Sequence, residues 1–577
     1  MSGPTSPGAE EPAPRAGAPS AREPGEASRR RAWASTAVVC SALFLLGLDF
    51  TVLNVAIPAL QMDLGPSMAQ TQWIVDGYAL VLGGCVLATG IVGDTYGRRR
   101  AFVAGLVVCA LASVLGARAD AVEQVIVARC GMGLGAALFM PATLATIVHV
   151  FSDDADRRRA ISLWAAVAGI GALAGPLAGG WLVEHSTWRA VFWVNVPLAL
   201  VLAAVALRMV PESRDPRPGR LDRRGAVLSC AGLLALVWAV IEAPGRGWTS
   251  TEVLMAFAIA GVLLGLFTIW ESRTDRPMIP PPLLKRGPVG PACVALAVMS
   301  FCGMGAMFIL TLYLQQVRGH SPWEAGVRTI PMSLALAAGA AFAPTLLSRF
   351  GARVPVSAGL VLVAGGFGVM TLLETGSGYA HILAFEALVG MGGGLVAPVA
   401  TELVLTAVPA AKSGLGSALN DATRQVGSTL GVAVLGSILA TVFTTRIEDR
   451  LQSHPAARLL LRDQEGRDLL TSAGHPGTGA GSFLVHEAGA AFVHGMSCAA
   501  IAGAGAALLA AALSWRKLPA SARPPARPPR PARPGPPNRS VPHLPLDRTS
   551  LPDQRARRAA SHHCEGIADV HDVSHHR

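Results

Sequence analysis

Two ionisable residues stand deep inside apolar runs, Asp49 and Arg129. A charge at the centre of a bilayer costs about 2.5–3.5 kcal/mol on insertion scales, so such a residue is by default functional and partnered. A carboxyl and a guanidinium at equal depth can load and release a proton, since burial favours the neutral acid and a nearby cation favours the carboxylate. Spacing predicts equal depth. Pro58 marks the outer end of the first run, nine residues or about 13 Å beyond Asp49. A run entering near Val122 reaches Arg129 after seven residues, about 10 Å. Asp49 is therefore the leading proton-coupling candidate and Arg129 its regulator, with a fixed structural ion pair as the competing reading. Asp76, Glu242, Glu386 and Glu402 also interrupt apolar runs, nearer their ends, where snorkelling or a structural hydrogen bond accounts for them equally well.

The elements that must position these groups follow from composition. Of 577 residues 51% are hydrophobic and 15% charged, with a mean hydropathy of +0.45, against roughly 25% charged in a soluble domain. This excludes an ordinary soluble enzyme and predicts an all-α polytopic membrane protein. Fourteen apolar stretches of spanning length run from about residue 34 to 515. Six of them make an N-terminal half (33–210), two lie in a linker region (211–288), and six make a C-terminal half (289–515) that includes an extracytoplasmic loop at 445–487. Residues 1–32 and 516–577 read as disordered cytoplasmic tails, the second Pro/Arg-rich with His562, His563 and Cys564. Low complexity is a better account of that histidine group than a metal site, so no metal and no cofactor are expected.

Orientation follows from arginine and lysine. With the N-terminus inside, the short inner loops hold twenty of them and the short outer loops five, the bias of cytoplasmic loops. Both termini are expected inside a bacterial cytoplasmic membrane. The net charge of +11 is explained by these loops and the tail rather than by nucleic acid. Membrane lipid, protons and a small-molecule substrate are the expected partners, and a monomer the expected state.

An internal repeat appears at a shift of 254 residues, placing Tyr96-Gly97-Arg98-Arg99 over Phe350-Gly351-Ala352-Arg353. Gly131-Met132-Gly133-Leu134-Gly135 reappears as Gly390-Met391-Gly392-Gly393-Gly394. Two parallel six-helix halves fit these counts.

The loop after the second stretch reads Gly90-Ile-Val-Gly-Asp94-Thr-Tyr-Gly97-Arg98-Arg99-Arg100. Gly97 suits a tight turn, Asp94 suits a helix cap, and Arg98 is suited to hold a carboxylate across the bundle. This resembles motif A of the major facilitator superfamily. Gly171, Gly175, Gly179 and Gly180 with Pro176 form a row of small residues that admits a neighbouring backbone, and the row resembles the antiporter motif C of that superfamily. Asp49 to Asn54 and Pro58, Trp188-Arg189 with Asn195, and Asn420 with Arg424-Gln425 are similar to the fourteen-helix drug:proton antiporter family over roughly residues 35–515. One departure stands out: where motif B usually reads Arg-x-x-Gln-Gly, this chain has Arg129-Cys-Gly-Met132-Gly133.

The resemblance implies the major facilitator fold and proton-coupled export of small amphipathic drugs or antibiotics. A dedicated exporter of a self-made metabolite is the alternative within transport, and a membrane-embedded enzyme or sensor the rival class. Chemistry argues against an enzyme, since the chain has no GxSxG and no paired intramembrane histidines. None of Lys285, Lys412 and Lys517 follows a glycine, so no Walker A loop is present.

Overall fold

The computed structural model describes residues 26–151, 153–214, 222–274, 287–407, 413–453 and 479–520. These residues are helical almost throughout, as long apolar segments must be where lipid leaves no solvent for free backbone groups. The N-terminal half comprises α1 (Glu26–Leu64), α2 (Met68–Tyr96), α3 (Arg98–Ala117), α4 (Val122–Val150), α5 (Asp154–His185), a single turn α6 (Ala190–Trp193) and α7 (Asn195–Met209). Next come α8 (Arg223–Arg246) and α9 (Thr251–Arg273). The C-terminal half comprises α10 (Val289–Leu312), a π-turn (Tyr313–Val317), α11 (Pro322–Arg328), α12 (Ile330–Phe350), α13 (Arg353–Met370), α14 (Tyr379–Thr406), α15 (Ser413–Ser453) and α16 (Gly479–Lys517).

Twelve helical segments are long and apolar enough to cross a membrane. The two parts of α2, bent by 54° between Val86 and Ala88, make a thirteenth, and α5 occupies the position of the remaining expected span. The chain is a multi-pass membrane protein.

Local sequence sets the ends. Ser67 and Gln70 form a reciprocal capping box that starts α2, and Ser321 with Glu324 does the same for α11, which opens on Pro322. Gly97 links α2 to α3 at φ 122°, a conformation that favours glycine, and Gly351 links α12 to α13 at φ 70°.

Several boundaries differ from those the sequence suggests. Helix α1 begins at Glu26, inside the expected tail, and it continues through Pro58 to Leu64, so Pro58 is not its end. Helix α15 extends to Ser453 and α16 starts at Gly479, both inside the expected 445–487 loop. The rest of that loop, the Pro/Arg and His/Cys tail beyond residue 520, and Lys285, Arg286 and Lys412 lie outside the described residues.

One continuous apolar core fills the N-terminal half, around Leu45, Tyr78, Phe102, Met132 and Phe139. Two others fill the C-terminal half, around Phe308, Phe367 and Phe385 and around Leu296, Val356 and Val396. Helix α8 packs on α2 and α15 where the halves meet, through Val237, Val240 and Ile241 beside Ala433. The halves repeat in contact as well as in sequence. Gly105 meets Gly135 as Gly359 meets Gly392, and Gly133 abuts the Tyr78 carbonyl as Gly390 abuts that of Met332. Gly392 is thus the counterpart of Gly135, not of Gly133 as the sequence match suggests.

Candidate functional site

Asp49 on α1 and Arg129 on α4 meet at the centre of the N-terminal half, with Arg129 Nη1 3.2 Å from Asp49 Oδ2. Their relative exposures are 3% and 2%. Asn195, the first residue of α7, donates Nδ2 to the other carboxylate oxygen at 2.8 Å. Arg129 Nε donates to the Ile74 carbonyl at 3.2 Å. The Tyr78 ring lies 4.4 Å from the guanidinium carbon, within cation–π range. Four helices therefore supply one buried, neutralised cluster. Gly133, one turn beyond Arg129, lets α4 approach the α2 backbone at Tyr78, because a side chain there would strike the Tyr78 carbonyl. Depth counted from Pro58 is not what brings the pair together, since Asp49 is fifteen residues from the true end of α1.

The other acids separate sharply. Asp76 and Glu386 are 1% and 0% exposed, and none of their four carboxylate oxygens has a hydrogen-bond partner among the described residues. They are as buried as the central pair, which their positions in the apolar runs do not suggest. Glu242 pairs with Arg246 at 3.1 Å, and Glu402 is exposed.

At the α2–α3 turn, Arg98 pairs with Asp94 one turn back at 2.8 Å. The carboxylate reached across the bundle is Glu212, after α7, and it belongs to the neighbours of Arg98. Glu212 accepts from the Arg99 backbone at 3.1 Å and lies 3.8 and 3.7 Å from the Arg99 and Arg100 side chains. Placed at the α3 N-terminus, it satisfies free N–H groups and complements the helix dipole. A side chain at Gly97 would collide with it, whereas Gly90 only borders Pro141. Glu212 was not singled out by sequence, although an acid just past a helix end, opposite an arginine run, is a usable signal.

The small-residue row of α5 has two faces. Gly171, Gly175 and Gly179 abut the α1 backbone from Phe44 to Val52. Gly180 and Pro176 abut the opposite half, where a side chain on Gly180 would lie 2.6 Å from the Pro322 carbonyl and one on Gly326 would strike that of Pro176.

Among the described residues, four hydrogen bonds join the halves at this same end, which carries Leu64. Gln315 Nε2 donates to the Val55 carbonyl at 2.9 Å and Gln316 Nε2 to Gln61 Oε1 at 2.6 Å. Glu184 accepts from Ser321 Oγ at 2.7 Å and from the Trp323 backbone at 3.1 Å. The π-turn aims both glutamines at α1, a feature often found at functional positions. Polar residues near loop ends gave no sequence signal for this clasp.

The remaining motif residues make other contacts. Trp188 Nε1 and Arg189 both donate to Asp63, at 2.9 and 2.6 Å. Asn54 is buried with Oδ1 unpartnered among the described residues. Asn420 accepts from Thr401 at 2.9 Å, Gln425 packs on Gly83, and Arg424 is exposed.

Comparison with known proteins agrees with this architecture. Residues 39–432 match the Major Facilitator Superfamily. The chain is 32% identical over 504 residues to the tetracenomycin C resistance and export protein of Streptomyces glaucescens, covering 86% of this chain and 93% of that one. It is 35% identical over 484 residues to the multidrug efflux pump LfrA of Mycolicibacterium smegmatis, covering 84% and 95%. Its fold matches a bacterial homologue of the human lysosomal transporter Spinster, solved inward-facing and unoccupied, at a TM-score of 0.58 and 15% identity over 86% of this chain and 99% of that one. The chain belongs to the major facilitator superfamily and is a membrane transporter, not an enzyme.

Proposed function

We propose that this transporter exports small amphipathic drugs or antibiotics from a bacterial cytoplasm in exchange for protons, with Asp49 as the coupling carboxylate and Arg129 as its regulator. The observation that carries the reading is the buried Asp49–Arg129 pair, a charge cluster that a purely structural helix bundle in lipid does not need. Support for export comes from relatives that span nearly the whole chain and are named for drug efflux and antibiotic export. The arginine bias supports placing both termini and the Gly97 end in the cytoplasm, so that the clasped Leu64 end faces outside and cargo loads from within. Asp94, Gly97 and Arg98, with Gly90 near them, then form a cytoplasmic latch remade between two states. The protein works as a monomer, since one chain supplies both halves of the fold and every residue of the buried charge cluster.

The ion gradient suffices as an energy source. One proton crossing about 150 mV releases roughly 3.5 kcal/mol, enough for a gradient of a few hundredfold at one-to-one exchange. A dedicated metabolite exporter is the second reading, favoured by the relative whose name joins resistance to export. Inverted vesicles carrying the protein test the proposal directly. Addition of a cargo drug from a panel should collapse an imposed pH gradient. Vesicles with folded protein that respond to no compound contradict it, and a response confined to metabolites of the source organism selects the second reading.

A further inference from the structure

Helix α8 is shared between the two halves, and it leans on a different one at each level. Toward the Leu64 end it is held by α15: Ser437 Oγ donates to the Val240 carbonyl at 2.8 Å, and Trp248 Nε1 donates to Thr441 Oγ1 at 3.3 Å. Nearer the Gly97 end it is held by α2, where Cys230 Sγ donates to the Gly84 carbonyl at 3.0 Å. The two helices are very close at that point, since a side chain on Gly84 would lie 2.9 Å from Cys230 Sγ and 4.0 Å from its Cα. Between these levels is a small void lined by Leu233 and Val237 of α8, Ala79 and Gly83 of α2, and Thr429 of α15, so α8 is not interlocked with α2 there.

The residue after Gly84 is Cys85, and its thiol is hydrogen-bonded to that of Cys230. Both are free thiols, and both are half-buried. A lone cysteine in an apolar helix is ordinarily a small hydrophobe. Two sulfurs that meet across a helix interface are different, because they need only lose two hydrogens to become a disulfide. The glycine beside them supplies the close backbone approach that such a bond requires.

We propose that Cys85 and Cys230 form an oxidant-sensitive pair, which a peroxide closes into a disulfide that fixes α8 to α2. One thiol attacks the peroxide O–O bond, giving a sulfenic acid and water, and the second sulfur displaces the hydroxyl as another water. Two electrons pass from the sulfurs to the peroxide, and both thiol protons end in water. A thiol reductant reverses the bond.

Transport by alternating states requires α2 and α15 to part at the Leu64 end, where the halves are clasped. Helix α8 is held by both, so it must slide on one of them. A thiol is a weak donor, so the Cys230 contact yields while Ser437 and Trp248 keep α8 on α15. The disulfide removes that freedom. The modification stands whatever the cargo is, whereas its effect on flux rests on the export reading.

The full chain in lipid nanodiscs, treated with hydrogen peroxide and mapped by peptide mass spectrometry without reduction, tests the pair. The expected product links the Cys85 and Cys230 peptides and disappears with dithiothreitol. Peptides that stay unlinked, or either sulfur joined to another cysteine instead, overturn the proposal. In inverted vesicles, a drug that collapses the imposed pH gradient before oxidation should fail to do so afterwards and regain its effect on reduction. Cys230→Ser, which keeps a hydroxyl donor for the Gly84 carbonyl, should transport at the same rate with and without peroxide. Inhibition by peroxide that survives in Cys230→Ser overturns the switch, as does unimpaired flux in wild-type vesicles shown to carry the linked peptide. If Cys230→Ser does not fold, Cys85→Ser makes the same comparison. If no drug responds even before oxidation, the export reading fails, and the linked peptide alone decides for or against the thiol pair.

Discussion

Arg129 is held by three different interactions, to Asp49, to the Ile74 carbonyl and to the Tyr78 ring. Removing one member of a buried pair strands the other charge, at about 3–5 kcal/mol. Arg129→Ala should therefore lower the thermal stability of the purified protein markedly, and combining it with Asp49→Asn should recover much of the loss. A double variant as unstable as Arg129→Ala would show that the stranded carboxylate is not the cause. The residues of this cluster are partly legible in sequence, because lipid makes every isolated charge conspicuous. Tyr78 is not, since an aromatic residue in an apolar run looks like ordinary core. The burial of Glu386 and Asp76 is hidden in sequence for a related reason: position along an apolar run tells depth, whereas burial depends on which neighbouring helices cover that face.

Helix ends carry the residues of the proposed latch and of the clasp. At the α2–α3 turn, Glu212 binds the start of α3 while Arg98 stays with Asp94. Glu212→Ala removes a charge-assisted hydrogen bond of about 1.5–3 kcal/mol, and should change kcat more than KM in vesicle transport. A change in KM alone would contradict a role in switching. At the Leu64 end, His320 Nδ1 lies 3.2 Å from Glu324 Oε2, yet burial, and then the nearby Arg328 charge, hold its imidazole below the ordinary histidine range. An opening of this end that exposes His320 would return it to the ordinary histidine range, so that the open state would bind more protons there than the clasped one. Its contribution is intact above about pH 6.5, the usual histidine value, and weakens as pH falls through the depressed one. Spin labels at Asp120→Cys and Ser377→Cys should report a larger separated population at pH 5.5 than at 7.5, and His320→Gln should remove that difference. A pH response that survives His320→Gln would assign it elsewhere. The turn glycine Gly97 was readable from its motif, whereas the clasp was not, because Glu184, Ser321 and Gln316 are ordinary loop-end polar residues until two halves are brought together.

For the whole molecule, hydropathy alone marks out an all-helical membrane bundle, because spans must be apolar for about 20 residues. Exact ends escape it: α1 runs past Pro58, and α15 and α16 extend into the expected outer loop, since a helix need not stop where lipid does. The repeat was visible in glycines, but its register needed contacts, as Gly-rich strings match at several offsets. Orientation is testable in a cysteine-free background. A membrane-impermeant maleimide should label Asp449→Cys in intact cells and should not reach Arg349→Cys, and the reverse pattern would invert the topology. The most direct test of the central claim is transport by Asp49→Asn in proteoliposomes, measured both under a pH gradient and as cargo exchange without one. The account predicts that gradient-driven uptake into inverted liposomes is lost while exchange persists. Gradient-driven transport at the wild-type rate in that variant would contradict it.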